Sequence, residues 1–295
     1  MVAPEINPKG IYSAIISPLS SSGGLNEKVL KQLVQFELAH GVEGFYCCGS
    51  SGEGLLLSDD ERKRLVEIVV FECGGTVPVL AHVGSLSTRS AIELARHAEK
   101  TGVCAVSAIP PIYYKYTQSE INQYYQDIID AVSLGVIVYN IPQFTGISFT
   151  TDNPLLQNKR IIGIKHTSMN LYDLERIGRE HSDKILINGH DEIYVSAMAA
   201  GATAIVGTTV NVFPKLFAKI RAAFTAGKID EARALQHRLN DAVEVFVNTN
   251  VFSAAKYAME IQGVPAGPCR KPFIELTAAQ KKLVAEAVGK LSDIL

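Results

Sequence analysis

From residue 10 to about residue 227 the chain repeats one pattern eight times: a short, almost uninterrupted apolar run, then a longer amphipathic stretch. The runs are Ile11–Pro18, Gly44–Gly49, Val77–Gly84, Ala105–Pro110, Val136–Ile141, Ile161–Thr167, Lys184–Gly189 and Ala202–Thr208. Most are Val, Ile and Ala without polar alternation, so each predicts a strand covered on both faces, as in a parallel sheet. Helix signals lie between them. Ser58-Asp59-Asp60-Glu61 and Thr117-Gln118-Ser119-Glu120 fit the capping box, in which hydroxyl and carboxylate satisfy orphan N–H groups reciprocally. Helices are also predicted over Glu27–His40, Thr88–Lys100, Leu171–His181 and Glu192–Ala200, with Gly41, Gly102 and Gly201 placed to stop three of them.

Eight strands, each followed by a helix, predict an α/β fold: a closed (β/α)8 TIM barrel. An open doubly wound sheet is the alternative, but no G-x-G-x-x-G follows the first run. Past residue 227 the strand pattern stops, and Ile229–Asn248, Phe252–Gln262 and Thr277–Leu295 predict three more helices. No Gly/Ser linker intervenes, so the expectation is a catalytic barrel over 1–227 with a C-terminal helical extension, 228–295, packed on it.

Composition removes several classes of partner. A formal net charge of -2, no basic cluster and no Trp argue against nucleic acid. No apolar stretch approaches the roughly 20 residues of a membrane helix. Met1 to Gly10 carries Pro4 and Pro8 and no apolar core, so no signal peptide is expected there. The five cysteines include the adjacent pair Cys47-Cys48 and no C-x-x-C. Neither a disulfide framework nor a zinc site is supported, and free thiols in a reducing cytoplasm are the expectation.

In a barrel of this kind the active site lies at the C-terminal ends of the strands, which turns strand ends into a list of candidates. The sixth run ends in Ile164-Lys165-His166-Thr167. An ammonium there is expensive to bury, so the lysine should lose its proton below its usual value of about 10.4. A neutral amine attacks carbonyl carbon, as a Schiff-base lysine does. The alternatives are a lysine that snorkels out or pairs with a carboxylate. Gly49-Ser50-Ser51-Gly52-Glu53-Gly54 offers approachable N–H groups and two hydroxyls, a seat for a carboxylate or an ordinary turn. Tyr139, before Asn140-Ile141-Pro142, is either a proton relay or packing. Asn188-Gly189-His190-Asp191-Glu192 carries two carboxylates suited to a metal, to acid–base work or to sugar hydroxyls, or simply to the next helix N-terminus. The eighth run ends in Gly207-Thr208-Thr209, and Tyr113, Tyr114 and Tyr116 follow the fourth.

Together, Gly49-Ser50-Ser51-Gly52-Glu53, Tyr139-Asn140-Ile141-Pro142 and Gly163-Ile164-Lys165 resemble the N-acetylneuraminate lyase/dihydrodipicolinate synthase family of class I aldolase-type barrels, over nearly the whole chain. The resemblance implies that Lys165 forms an imine with C2 of pyruvate or a sugar acid and that Tyr139 relays the 4-hydroxyl proton. It implies that Ser50 and Ser51 hold the substrate carboxylate, Ser51 standing where threonine is common. Tyr113 matches a tyrosine that reaches a neighbouring subunit's site, which implies a homotetramer.

Dihydrodipicolinate synthases place an arginine five residues after the relay tyrosine, where this chain has Phe144, and an apolar ring cannot replace a guanidinium fork. Gly189-His190-Asp191-Glu192 instead resembles the sialic acid lyase pattern Gly-aromatic-Asp-Glu, with His190 at the aromatic position. Gly189, Asp191 and Glu192 would then contact the sugar tail, aided by Thr167 and by Thr208 where serine is usual. Phe252 and Cys269-Arg270-Lys271-Pro272-Phe273 also resemble that sub-family. The implied activity is reversible cleavage of N-acetylneuraminate to N-acetylmannosamine and pyruvate. No metal or organic cofactor is expected, because the imine is the electrophile.

Overall fold

The eighth strand hydrogen-bonds back to the first, closing a parallel barrel in sequence order. The strands are β1 (Ile11–Ser13), β2 (Gly44–Cys47), β3 (Val79–His82), β4 (Ala105–Ala108), β5 (Gly135–Asn140), β6 (Ile161–His166), β7 (Ile185–Asn188) and β8 (Ala204–Gly207). This computed structural model describes residues 6–7 and 9–294. Residues 1–5 and 8 of the segment expected to lack a signal peptide, and Leu295 at the end of the last expected helix, lie outside the described residues.

Seven of the predicted runs contain a strand whole, and β5 starts one residue before its run, at Gly135; the C-terminal ends of the runs lie beyond the strands, at the barrel rim. The intervening helices are α1 (Glu27–Ala39), α2 (Asp59–Cys73), α3 (Thr88–Thr101), α4 (Gln118–Ala131), α5 (Pro142–Thr145), α6 (Leu171–Glu180), α7 (Tyr194–Ala199) and α8 (Pro214–Thr225). Both capping boxes form, at Ser58 with Glu61 and at Thr117 with Glu120. Two expectations need correction. After β5 the chain makes only the single turn α5 and a 3-10 turn at Pro154–Gln157 rather than a full helix. Pro142 starts α5, and Gly146, in the left-handed region, ends it. The helix expected from Glu192 starts at Tyr194, because Asp191–Ile193 form a tighter 3-10 turn.

Two apolar layers follow from strand alternation. Tyr12, Tyr46, Leu80, Ile137, Tyr139 and Ile187 fill the inside of the barrel, and a larger layer lies between strands and helices. β6 breaks the alternation. Val136 pairs with Ile161 but Ile137 pairs with Gly163, so Ile162 is an extra residue. Ile161 and Ile164, three apart, therefore both belong to the outer layer, while Ile162 packs on the inner one. Such a bulge reverses the facing of every residue after it. Without it Lys165 would face the helices. With it, Lys165 points inside.

The C-terminal segment forms α9 (Ile229–Thr249), α10 (Val251–Ile261) and α11 (Ala278–Gly289). Among the described residues no helix is long and apolar enough to cross a membrane.

Candidate active site

A cavity of about 350 Å³ opens where the strands end, within the size range of small-ligand pockets. Lys165 and Tyr139 meet there because they are register partners on β6 and β5. Lys165 is 3 % exposed, and its Nζ lies 3.6 Å from the centre of the Tyr139 ring and 5.3 Å from that of Tyr46. The amine donates to Thr167 Oγ1 at 3.2 Å. Burial pushes the Lys165 amine below its usual range, partly offset by Tyr139. Burial alone would raise the Tyr139 phenol, but the charge of Lys165 and the Ser50 hydroxyl outweigh it and hold the phenol below its ordinary value. Both groups thus sit below their ordinary values, each influenced by the other. Of the readings open for Lys165, the structure excludes snorkelling to solvent.

The remaining predicted residues divide clearly. Ser50, Ser51, Thr167, Gly189, Asp191, Glu192, Thr208 and Phe252 all line this cavity. Ser50 Oγ lies 3.4 Å from the Tyr139 hydroxyl, and Ser51 Oγ lies 2.6 Å from Thr208 Oγ1, which ties the β2 and β8 rims together. Gly189 must be glycine, since a Cβ would stand 1.8 Å from Thr167 Oγ1, the acceptor of the Lys165 amine. Tyr113 is not brought in. It is 89 % exposed, adopts a left-handed backbone (φ 85°) and stacks edge-on with Tyr114 outside the cavity.

The two rim carboxylates differ. Asp191 is buried and accepts from both the N–H and the hydroxyl of Thr209 through Oδ2, while Oδ1 has no hydrogen-bond partner among the described residues. Burial pushes its carboxyl up to about 6 despite the bonds from Thr209. Glu192 is nearer the mouth, with Oε1 3.1 Å from His190 Nδ1. Burial would raise it, but that contact prevails and holds it below its usual range. At the mouth stands Phe144, 69 % exposed.

Several contributors were not singled out from the sequence. Tyr46 lines the floor and donates to Ser107 Oγ at 3.0 Å. His82 sits edge-on to Tyr139, with ring centres 5.8 Å apart. Ile109 N–H donates to His82 Nε2, which leaves Nδ1–H to donate to the Cys48 carbonyl and fixes a neutral tautomer. Burial, first, and the charge of Arg62 keep that ring well below its usual range. Their signal, an aromatic or imidazole inside an apolar run, is shared with ordinary core residues. The extension contributes as well. Val243, Val247 and Val251 wall the cavity, and Gln236 and Asn240 of α9 donate to the Asp191 and Glu192 carbonyls, each at 3.0 Å.

Residues 7–291 match the dihydrodipicolinate synthetase family. The chain belongs to that family. It is 39% identical over 282 residues to the N-acetylneuraminate lyase of Rhizobium meliloti, a match covering 95% of this chain and 94% of the relative. It superposes with a TM-score of 0.94 on the crystal structure of CdNal from Clostridium difficile in complex with mannosamine, at 36% identity and covering 96% and 99% of the two chains. The sialic acid aldolase of Ruminococcus gnavus, also solved as a catalytic lysine mutant, gives 0.94 at 31% identity with 98% of each chain covered. As a member of the dihydrodipicolinate synthetase family, this chain thus combines an inward lysine with a rim that is apolar at Phe144 and acidic at Glu192.

Proposed function

We propose that this chain is an N-acetylneuraminate lyase, a carbon–carbon lyase that cleaves the sugar acid reversibly to N-acetylmannosamine and pyruvate through an imine on Lys165. The observation that carries the reading is the amine of Lys165, buried against Tyr139 at the end of a cavity whose other wall is acidic. The neutral amine adds to the C2 carbonyl of the open-chain sugar acid, and water leaves with uptake of one proton from solvent to give a protonated imine. Tyr139, as its phenolate, takes the proton of the 4-hydroxyl as the C3–C4 bond breaks. The electron pair of that bond flows into the imine, N-acetylmannosamine leaves as its aldehyde, and an enamine remains. Protonation at C3 and hydrolysis then release pyruvate and the amine.

Ser50 and Ser51 would grip the carboxylate, Thr167, Gly189, Asp191, Glu192 and Thr208 the polyol tail, with Phe252 closing the wall. That Val243 and Phe252 line the cavity supports reading the barrel, 1–227, and the extension, 228–295, as one catalytic unit. The exposed Tyr113 supports a homotetramer in which it borders a neighbour's cavity. The free cysteines support a cytoplasmic setting. Mixing the protein with N-acetylneuraminate and lactate dehydrogenase plus NADH should consume NADH in step with pyruvate release; no consumption overturns the reading.

Glu192→Gln removes a charged acceptor and is expected to raise KM for N-acetylneuraminate about tenfold. KM for pyruvate in the reverse direction should stay unchanged. Unaltered cleavage kinetics would remove the tail assignment and favour a 2-keto-3-deoxy aldonate as substrate. Asp191 adds a pH dependence. With its carboxyl at about 6, the charged acceptor is present above that pH and lost as pH falls through it. KM for N-acetylneuraminate is therefore expected to rise roughly fivefold from pH 7 to pH 5. In Asp191→Asn that slope should flatten, and a parallel slope in both proteins would assign the titration elsewhere.

A further inference from the structure

The loop that carries Ser50 and Ser51 is bracketed by two non-glycine residues in left-handed backbone, Cys48 (φ 59°) and Glu53 (φ 54°). Residues with a Cβ stay in that region only where their surroundings over-determine it. Part of the cause is local. A Cβ on Gly54 would stand 1.8 Å from the Cys48 carbonyl oxygen, and Ser17 donates to the Gly52 carbonyl at 2.6 Å.

The rest comes from the C-terminal extension. Glu53 has a fully buried side chain, with Oε1 2.6 Å from Lys256 Nζ on α10, whose own side chain is 2 % exposed. Its Oε2 accepts the N–H of Arg270 at 2.5 Å, and Lys256 also donates to the Pro268 carbonyl at 2.8 Å. The Arg270 guanidinium makes a two-pronged contact with Glu61, at 2.8 and 3.0 Å, the residue that closes the capping box of α2. A joint that only had to hold helices on a barrel would be at least as stable with apolar side chains, because desolvating two charges offsets most of their attraction. What an ion pair adds is direction: it fixes where a carboxylate, and the backbone bearing it, must sit. Neither Glu53 nor Lys256 lines the cavity, and Glu53 sits on the loop itself, so a change at Glu53 acts on substrate through the loop and not through the α10 residues Val251 and Phe252.

We propose that Lys256 is a positioning residue of the lyase site: through Glu53 it sets the backbone of Ser50 and Ser51, and so the grip on the 2-oxo acid carboxylate. The proposal rests on the reading that those two serines hold that carboxylate. Pyruvate and N-acetylneuraminate share that group, which makes the effect separable from any effect on the sugar tail.

The test is the pyruvate concentration giving half-maximal borohydride trapping at Lys165, alongside KM and kcat for N-acetylneuraminate, in Lys256→Met, Glu53→Gln and the double variant. Both single variants should raise half-saturating pyruvate and KM for N-acetylneuraminate together by about tenfold, with kcat changed less than about threefold. The double variant should be no worse than the poorer single, since each already breaks the same link. Should Lys256→Met not fold, Glu53→Gln, which keeps shape and an acceptor for Arg270, decides alone. Half-saturating pyruvate within about twofold of the parent in folded Glu53→Gln overturns the proposal, as does a fall in kcat with KM unchanged. Absent pyruvate release from the parent protein would instead overturn the lyase reading, while trapping with added pyruvate still reports on Lys256.

Discussion

Lys165→Ala is expected to lower N-acetylneuraminate cleavage by about 100,000-fold or more, to the floor of a pyruvate-coupled assay. The size of the effect follows from the chemistry. Without an amine no imine forms, and nothing else at the cavity end can accept the electron pair of the C3–C4 bond. The truncated side chain also leaves the face of the Tyr139 ring without the amine that lies 3.6 Å from its centre. Borohydride with pyruvate should add one reduced pyruvyl group to the parent protein, located at Lys165 by peptide mapping, and none to the variant. A label on any other lysine, or retained turnover in a folded variant, would sink the mechanism.

Tyr139→Phe is expected to lower kcat about a thousandfold while imine formation survives. Phenylalanine keeps the ring that packs against Tyr46 and His82 and faces the amine, so the architecture of the barrel interior persists. Only the hydroxyl is lost, and with it the group 3.4 Å from Ser50 that would carry the 4-hydroxyl proton. Trapping with pyruvate should therefore continue near the parent level. A variant that turns over within about tenfold of the parent would remove Tyr139 from the proton path. Loss of trapping together with turnover would make it a group needed to build the imine rather than to break the carbon–carbon bond.

Much of the barrel was legible because its signals are local. An apolar run without alternation cannot face water on either side, and a capping box needs only four consecutive residues, so strands and the caps at Ser58 and Thr117 follow from short windows. The break after β5 was less legible. The run is followed by Pro142 and later Gly146, but nothing local says that a full turn of the pattern will shrink to Pro142–Thr145. Among site residues, those on rim loops declared themselves through unusual chemistry at strand ends. Tyr46, His82, Gln236 and Asn240 did not, since aromatic rings in strands and amides on helices are what any core or surface contains.

The sequence by itself determined that eight parallel strands would be covered on both faces, and that a lysine, a tyrosine, two serines and two carboxylates would stand at strand ends. Those are properties of composition and period within a few residues. Only the tertiary structure decided that Lys165 faces inward. The extra residue at Ile162 reverses the facing of β6, and a strand's facing is set by its register against a neighbour, here Val136–Ile137 of β5, rather than by its own residues. It also decided where the extension meets the loop of Ser50 and Ser51, because the partners Glu53 and Lys256 lie far apart along the chain and only the folded structure brings them together.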